Sequence, residues 1–184
     1  MVTGLIKLNG ATVGVVGNRQ TGKESLLTAD GCRKAADFIR FCDAFDIPVL
    51  SLTNVTGYEA TVASEKLLTR EAARMTAAFA EASVPKINFI TKEAYGSAYV
   101  LMNSKALGAD LVYAYDTAKI GIMDSKLAAK IMYEDKSADE ISEKAKEFEE
   151  LQSGIAAAAA RGYVDRVITP ADTRKDLIAG FEML

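Results

Sequence analysis

Apolar positions recur along this chain in two periods, and their alternation predicts the architecture. Residues 11–17 (ATVGVVG) form a short β-branched run ending in glycine, the pattern of a buried strand. Ala35, Phe38, Ile39, Cys42 and Phe45 then return at helical spacing, which predicts a helix with one apolar face and Asp30 as the cap ahead of Gly31. Pro48 separates that helix from a strand over 49–52, and Gly57 ends the strand's exit turn. A long helix is predicted over 62–82, with Leu68, Ala72, Met75, Phe79 and Ala82 on one side, until Pro85 stops it. The run 86–91 (KINFIT) is the next strand, followed by a turn and a helix to residue 106. Two short strands at 111–115 and 119–123 precede a helix over 125–133. Ser137-Ala-Asp-Glu140 is a capping box opening a charged helix, and 156–160 is an alanine-rich helical or packing segment. A last strand at 164–168 leads to Thr169-Pro170, an N-cap and N1 proline for a C-terminal helix. Short strands alternating with helices predict an α/β fold with parallel pairing and right-handed crossovers, in one domain over residues 1–184.

Composition narrows the chemistry. The net charge of −3 gives no electrostatic case for nucleic acid or an anionic membrane. No run approaches the roughly 20 apolar residues of a membrane span. Cys32 and Cys42 lie ten positions apart on one predicted helix. Their Cα atoms are then about 15 Å apart, too far for a disulfide. They are expected to be reduced core thiols in a cytoplasmic protein. The chain contains no histidine. This excludes a Ser-His or Cys-His triad and any His-based metal site within the chain, and no metal ligand set is singled out. Chemistry must use carboxylates, Lys, Tyr or the backbone.

Three segments stand out. Gly17-Asn-Arg-Gln-Thr-Gly22-Lys23 has the spacing of a phosphate-binding loop after a strand, but Glu24 stands where the Mg²⁺-ligating Ser or Thr should be. The alternative is a glycine-containing loop. Tyr95-Gly96-Ser97-Ala98 joins a strand to a helix, so its small residues leave first-turn amides uncovered, the makeup of an oxyanion hole. The same composition also suits a turn that merely permits packing. Asn54-Val-Thr-Gly57-Tyr58 leaves another strand toward the same sheet edge, and Lys119, Asp124 and Lys126 are placed to reach it.

A longer ordered set carries a family resemblance. It comprises Ile6-Lys-Leu-Asn-Gly10, Val13-Gly-Val-Val-Gly-Asn18, the segment from Ala35 to Pro48, Ala78 to Lys86, Ile90 to Tyr99, Asn103-Ser-Lys105 and Arg161-Gly-Tyr-Val-Asp165. Together these residues resemble the C-terminal half of biotin-dependent acyl-CoA carboxyltransferases of the propionyl-CoA carboxylase β type. The resemblance implies a crotonase-like fold, a spiral of ββα units. It implies half an active site: a partner N-terminal half holds acyl-CoA, this half holds biotin delivered on a carrier protein, and subunits oligomerise. Carboxyl transfer between carboxybiotin and acyl-CoA is the implied reaction. The family's two donor amides fall on Ser97 and Ala98, with Gly57, Tyr95, Gly96 and Val100 around the biotin. A decarboxylase complex running the reverse reaction and a diverged scaffold subunit are the alternatives. The chain departs from the family pattern in having Ser97 for a glycine, Val100 for an acidic residue, Asn54-Val-Thr-Gly57-Tyr58 for Asp-x-Pro-Gly-Phe, and Met123-Asp124 for Met-Gly. It also lacks the family's Pro-Gly and Gly-Gly pairs between Tyr58 and Thr69.

Overall fold

In the computed structural model, which describes residues 1–19 and 25–184, β1 (Val2–Leu8) and β2 (Ala11–Gly17) form an antiparallel hairpin. Both residues of its connection, Asn9 and Gly10, have positive φ, 47° and 85°. That is the conformation of a type I′ turn, which matches the twist of the paired strands. Of the expected phosphate-loop pattern over 17–24, residues 20–24 lie outside the described residues.

The chain then repeats one unit: a strand in the large sheet, a short strand beside it, and a helix. After β2 come β3 (Leu26–Leu27) and α1 (Ala29–Ala44); then β4 (Val49–Val55), β5 (Gly57–Tyr58) and α2 (Val62–Glu81). In the third unit one long strand, β6 (Lys86–Tyr95), does the work of two before α3 (Gly96–Leu101). The fourth is β7 (Leu111–Tyr115), β8 (Lys119–Gly121) and α4 (Ser125–Met132). There follow α5 (Ala138–Phe148), a π-helical turn at Glu149–Ser153, α6 (Ile155–Ala160), β9 (Arg166–Ile168) and α7 (Thr173–Met183). The large sheet runs β1-β2-β4-β6-β7-β9, all parallel except the first pair, while β3 and β5 pair separately. These are the ββα repeats that the resemblance implies.

Two apolar layers follow from the period-2 alternation of the strands. Val49, Val55, Ile90 and Val112 face α1 and α2, where Ile39, Met75 and Phe79 are fully buried. Leu50, Ile87, Phe89 and Tyr113 face the other way and meet Leu177 of α7. Both layers are buried, so the central strands are apolar on both faces, as parallel strands covered by helices must be.

Four local expectations change. Thr28, not Asp30, caps α1: its Oγ1 accepts from Gly31 N at 3.0 Å, while Asp30 pairs with Arg33 at 2.7 Å. Gly57 does not end a turn but starts β5, because Thr56 N donates to Ser25 O and carries the chain alongside β3. The helix after the 95–98 turn stops at Leu101 rather than near 106, since Asn103 takes a positive φ of 57°. The last helix starts at Thr173 rather than after Pro170, because the Thr169 hydroxyl donates to Asp172 instead of accepting from the helix.

The ladder between β4 and β6 contains a slip that shapes everything beyond it. Thr53 faces Ile90, but Val55 faces Ala94, so the single residue Asn54 opposes Thr91, Lys92 and Glu93. Side chains replace the missing ladder bonds. Glu93 N donates to Asn54 Oδ1 at 3.2 Å, and Thr91 Oγ1 donates to Thr53 O at 3.2 Å. From the other side, the Asn18 side chain accepts from Asn54 N and donates to Asn54 O. The bulge bends β6. Before it, Ile87 to Ile90 pair with β7; after it, Glu93 to Tyr95 pair with β8.

Among the described residues, no helix is long and apolar enough to cross a membrane. Cys32 and Cys42 are free and fully buried in α1, and burial pushes each thiol from 9.0 up to about 11. The unfolded chain therefore loses these protons near pH 9 while the folded chain holds them, so stability is expected to fall as pH rises above 9. A thiol reagent at pH 8 is expected to leave both cysteines unmodified in the folded protein and to label both after urea unfolding. Rapid labelling without denaturant would contradict this packing.

Candidate functional site

The bend in β6 delivers Tyr95 to the start of α3, where it is the N-cap and offers no side-chain hydrogen bond to the helix. Gly96 follows with φ of 60°. A Cβ there would sit 3.0 Å from Ile122 O, so both the backbone conformation and the close approach of the next segment call for glycine. Ser97 and Ala98 are the second and third helical residues, so their N–H groups have no intrahelical acceptor. Ser97 is exposed; Ala98 is 1% exposed. The first-turn amides carry the partial positive charge of the helix end.

Gly57, Tyr58, Tyr95, Gly96, Ser97 and Ala98 line one cleft of 480 Å³. Five of the six residues singled out in the sequence are thus brought together. The sixth, Val100, lies across the turn in an adjoining cleft of 800 Å³, whose wall it shares with Gly96 and Ser97 and where Lys105, Arg161 and Tyr163 also lie. Of the charged candidates, Asp124 lines the first cleft and caps α4, accepting from Lys126 N and Leu127 N at 3.0 and 3.1 Å. Lys119 is ion-paired with Glu149 at 2.8 Å, and that contact holds the Glu149 carboxyl below its usual range.

The cleft has little titrating chemistry to offer. Burial, reinforced by the carboxylates of Glu93, Asp124 and Glu149, pushes the Tyr95 phenol well above its ordinary value, so it stays neutral. Burial likewise pushes the Tyr99 phenol up to about 12. Glu93 and Asp124 are the carboxylates on the wall. Among the described residues no three metal-ligating side chains gather. What remains are neutral donors: the backbone amides at the start of α3, and a hydroxyl pair in which Tyr58 Oη donates to Ser97 Oγ at 3.3 Å.

Beneath the turn lies a buried polar cluster that sequence reasoning missed. Ser51 and Thr53 of β4 and Asn88 of β6 occupy inward strand positions and are 0% exposed. Thr53 Oγ1 donates to Asn88 Oδ1 at 2.7 Å and contacts Met102 O at 3.3 Å. Ser51 Oγ reaches Asn88 Oδ1 at 3.3 Å and accepts from Asn103 Nδ2 at 3.2 Å. The cause is the early end of α3: the irregular segment after Leu101 lies over the sheet, and its buried carbonyls need donors. Polar residues at alternate positions of an otherwise apolar strand were the signal that could have found it. The cluster ties the far end of α3 to the two strands that flank the bulge. Asn88→Ala removes the acceptor that the two hydroxyls share and leaves Thr53 only Met102 O and Ser51 only Ile87 O, each at 3.3–3.4 Å, a weakening of about 1–3 kcal/mol in all. Urea denaturation is expected to show a loss in that range or larger; a loss within 0.5 kcal/mol, the usual spread for a surface change, would show that the cluster does not anchor α3.

The whole chain, residues 1–184, matches the family described as the carboxyl transferase domain. It is 42% identical over its full length to the propionyl-CoA carboxylase beta chain of Cereibacter sphaeroides, covering 37% of that protein. To the methylmalonyl-CoA carboxyltransferase 12S subunit of Propionibacterium freudenreichii it is 39% identical, covering 36% of it. Among solved structures, transcarboxylase 12S, crystallised as a hexamer with methylmalonyl-coenzyme A, superposes with a TM-score of 0.92 at 38% identity, over 98% of this chain and 36% of that one. The beta subunit of Pseudomonas aeruginosa geranyl-CoA carboxylase gives 0.82 at 25% identity, over 98% of this chain and 36% of that one. The fold is accordingly the crotonase-like α/β fold of these carboxyltransferases. The chain belongs to the carboxyl transferase domain family, and it spans about 37% of the length of the relatives it matches.

Proposed function

We propose that this chain supplies the biotin-side half of a carboxyl-transfer site, passing a carboxyl group between carboxybiotin and an acyl-CoA. The observation that carries the reading is the first turn of α3, Ser97-Ala98, lining a cleft where, among the described residues, no basic side chain lies, in a chain without histidine. Biotin on a carrier protein would supply the carboxyl from its ureido N1, take the resulting negative charge on its ureido oxygen, and accept the proton that the acyl α-carbon gives up. The residues present fit that group. A 480 Å³ cleft lies within the range of small-ligand sites, and fixed amide donors stabilise developing charge without a titrating side chain. Gly96 lets the backbone approach, Gly57 lines the cleft without a side chain, and Tyr95 stays a neutral phenol. Val100 faces the second cleft, where an apolar acyl group could lie. The same donors serve the reverse, decarboxylating direction.

The acyl-CoA half would come from the remainder of a full-length carboxyltransferase or from a separate subunit. Ile122 and Leu127 line the cleft yet are 78% and 51% exposed, and Ile131, one turn on from Leu127, is 63% exposed. This apolar rim suits burial against such a partner and supports a hetero- or homo-oligomer. In a complex reconstituted with the N-terminal half and a biotinylated carrier, Ala98→Pro removes one donor and is expected to lower transfer about 100-fold or more. An unchanged rate in a variant with wild-type circular dichroism would rule out the amide role.

A further inference from the structure

We propose that the Ser97 side chain is a third donor to the anion held by this cleft, and that Tyr58 positions it. The assignment rests on the carboxyl-transfer reading of the cleft. Tyr58 stands on β5 and Ser97 in the first turn of α3, 39 positions apart in sequence, and the fold brings their hydroxyls to 3.3 Å with the phenol donating. A serine hydroxyl carries one hydrogen and two lone pairs. Accepting from Tyr58 occupies a lone pair and leaves the serine hydrogen to point elsewhere. Ser97 is exposed and lines both this cleft and the adjoining one, so its hydrogen is free for a ligand held there. A donor that is itself accepting is polarised and donates better. The separation is long for an O–H···O contact, whose usual length is about 2.7–2.8 Å, so the pair has room to tighten as charge develops.

The electrostatics of the wall make this hydroxyl matter. Glu93 and Asp124 line the same cleft and repel an anion. Tyr95, buried and neutral, cannot offset them. Among the described residues no lysine or arginine lines this cleft; Lys105 and Arg161 lie in the adjoining one, where Arg161 is engaged by Gln152 and Lys105 by Asp165. An additional neutral donor beside the two amides compensates without adding a cation whose desolvation the cleft would have to offset. In this view Ser97 acts twice, through N–H and Oγ–H, and Tyr58 is a positioning residue that never touches the anion.

The test uses Ser97→Ala, Ser97→Gly, Tyr58→Phe and the Ser97→Ala/Tyr58→Phe double variant in the complex with partner half and carrier, reading kcat, acyl-CoA KM and free-biotin affinity by calorimetry. Loss of a hydrogen bond to a charged group predicts kcat about 10-fold or more lower for both Ser97 variants, with acyl-CoA KM unchanged. Tyr58→Phe should lower kcat less, and the double variant should be no worse than Ser97→Ala alone, because the phenol acts only through the serine. Biotin should bind more weakly to both Ser97 variants. Equal or higher kcat for Ser97→Ala and Ser97→Gly would overturn the assignment and make the hydroxymethyl an obstruction. Additive effects of the two substitutions would overturn the role of Tyr58. Saturable biotin binding that is identical in wild type and variants sinks the hydroxyl donor alone, whereas no saturable binding by any form removes the carboxyl-transfer reading and this assignment with it.

Discussion

The bulge opposite Asn54 is the constraint on which the rest depends. A straight β6 would continue alongside β7. Opposing one residue of β4 with three of β6 turns the strand away from β7 and onto β8, another strand of the same sheet. The cost of an interrupted ladder is met by side chains suited to it: Asn18 and Asn54 each present a donor and an acceptor in a plane, as a peptide group does. Because α3 begins where β6 ends, the bend also sets where the Ser97-Ala98 turn sits. The site is therefore built by strand geometry rather than by a loop.

Two further contacts limit how far α3 can move. At its start, Gly96 has a φ of 60° and packs so closely that a Cβ would sit 3.0 Å from Ile122 O. At its end, Met102 O and Asn103 are held by Thr53 and Ser51. A six-residue helix has little cooperativity of its own, so its orientation is inherited from these anchors. This matches what electrostatic stabilisation needs: donors fixed in advance, so that no reorganisation is required as charge appears. The surrounding phenols and carboxylates shape the cleft, while the neutral donors would do the binding.

Much of this was legible in the sequence, for identifiable reasons. The long amphipathic helices at α1 and α2 announced themselves through apolar spacing, and the capping box at Ser137 is present with both of its hydrogen bonds. The 95–98 turn stood out because a glycine and two small residues joined a β run to a helical one. What escaped depends on contacts between distant segments. The Asn9-Gly10 hairpin was readable locally, but its first strand has mostly exposed residues and no clean alternation. The bulge could not be read, since Asn18, Asn54 and Glu93 meet only once the fold exists. The inward polar residues Ser51, Thr53 and Asn88 looked like ordinary strand positions until the irregular chain after Leu101 was seen to lie above them. The family resemblance located the candidate amides, and the structure added the cleft they face and the Tyr58 contact beside them.

The claim at the centre is that backbone N–H groups, rather than any titrating side chain, hold the charge that develops during transfer. The most direct measurement replaces the amide of Ala98 by an ester through chemical ligation, which removes one N–H and leaves every side chain in place, and compares carboxyl transfer in the assembled complex. The account predicts a rate about 100-fold lower with acyl-CoA KM unchanged. A rate equal to that of the all-amide chain would contradict it.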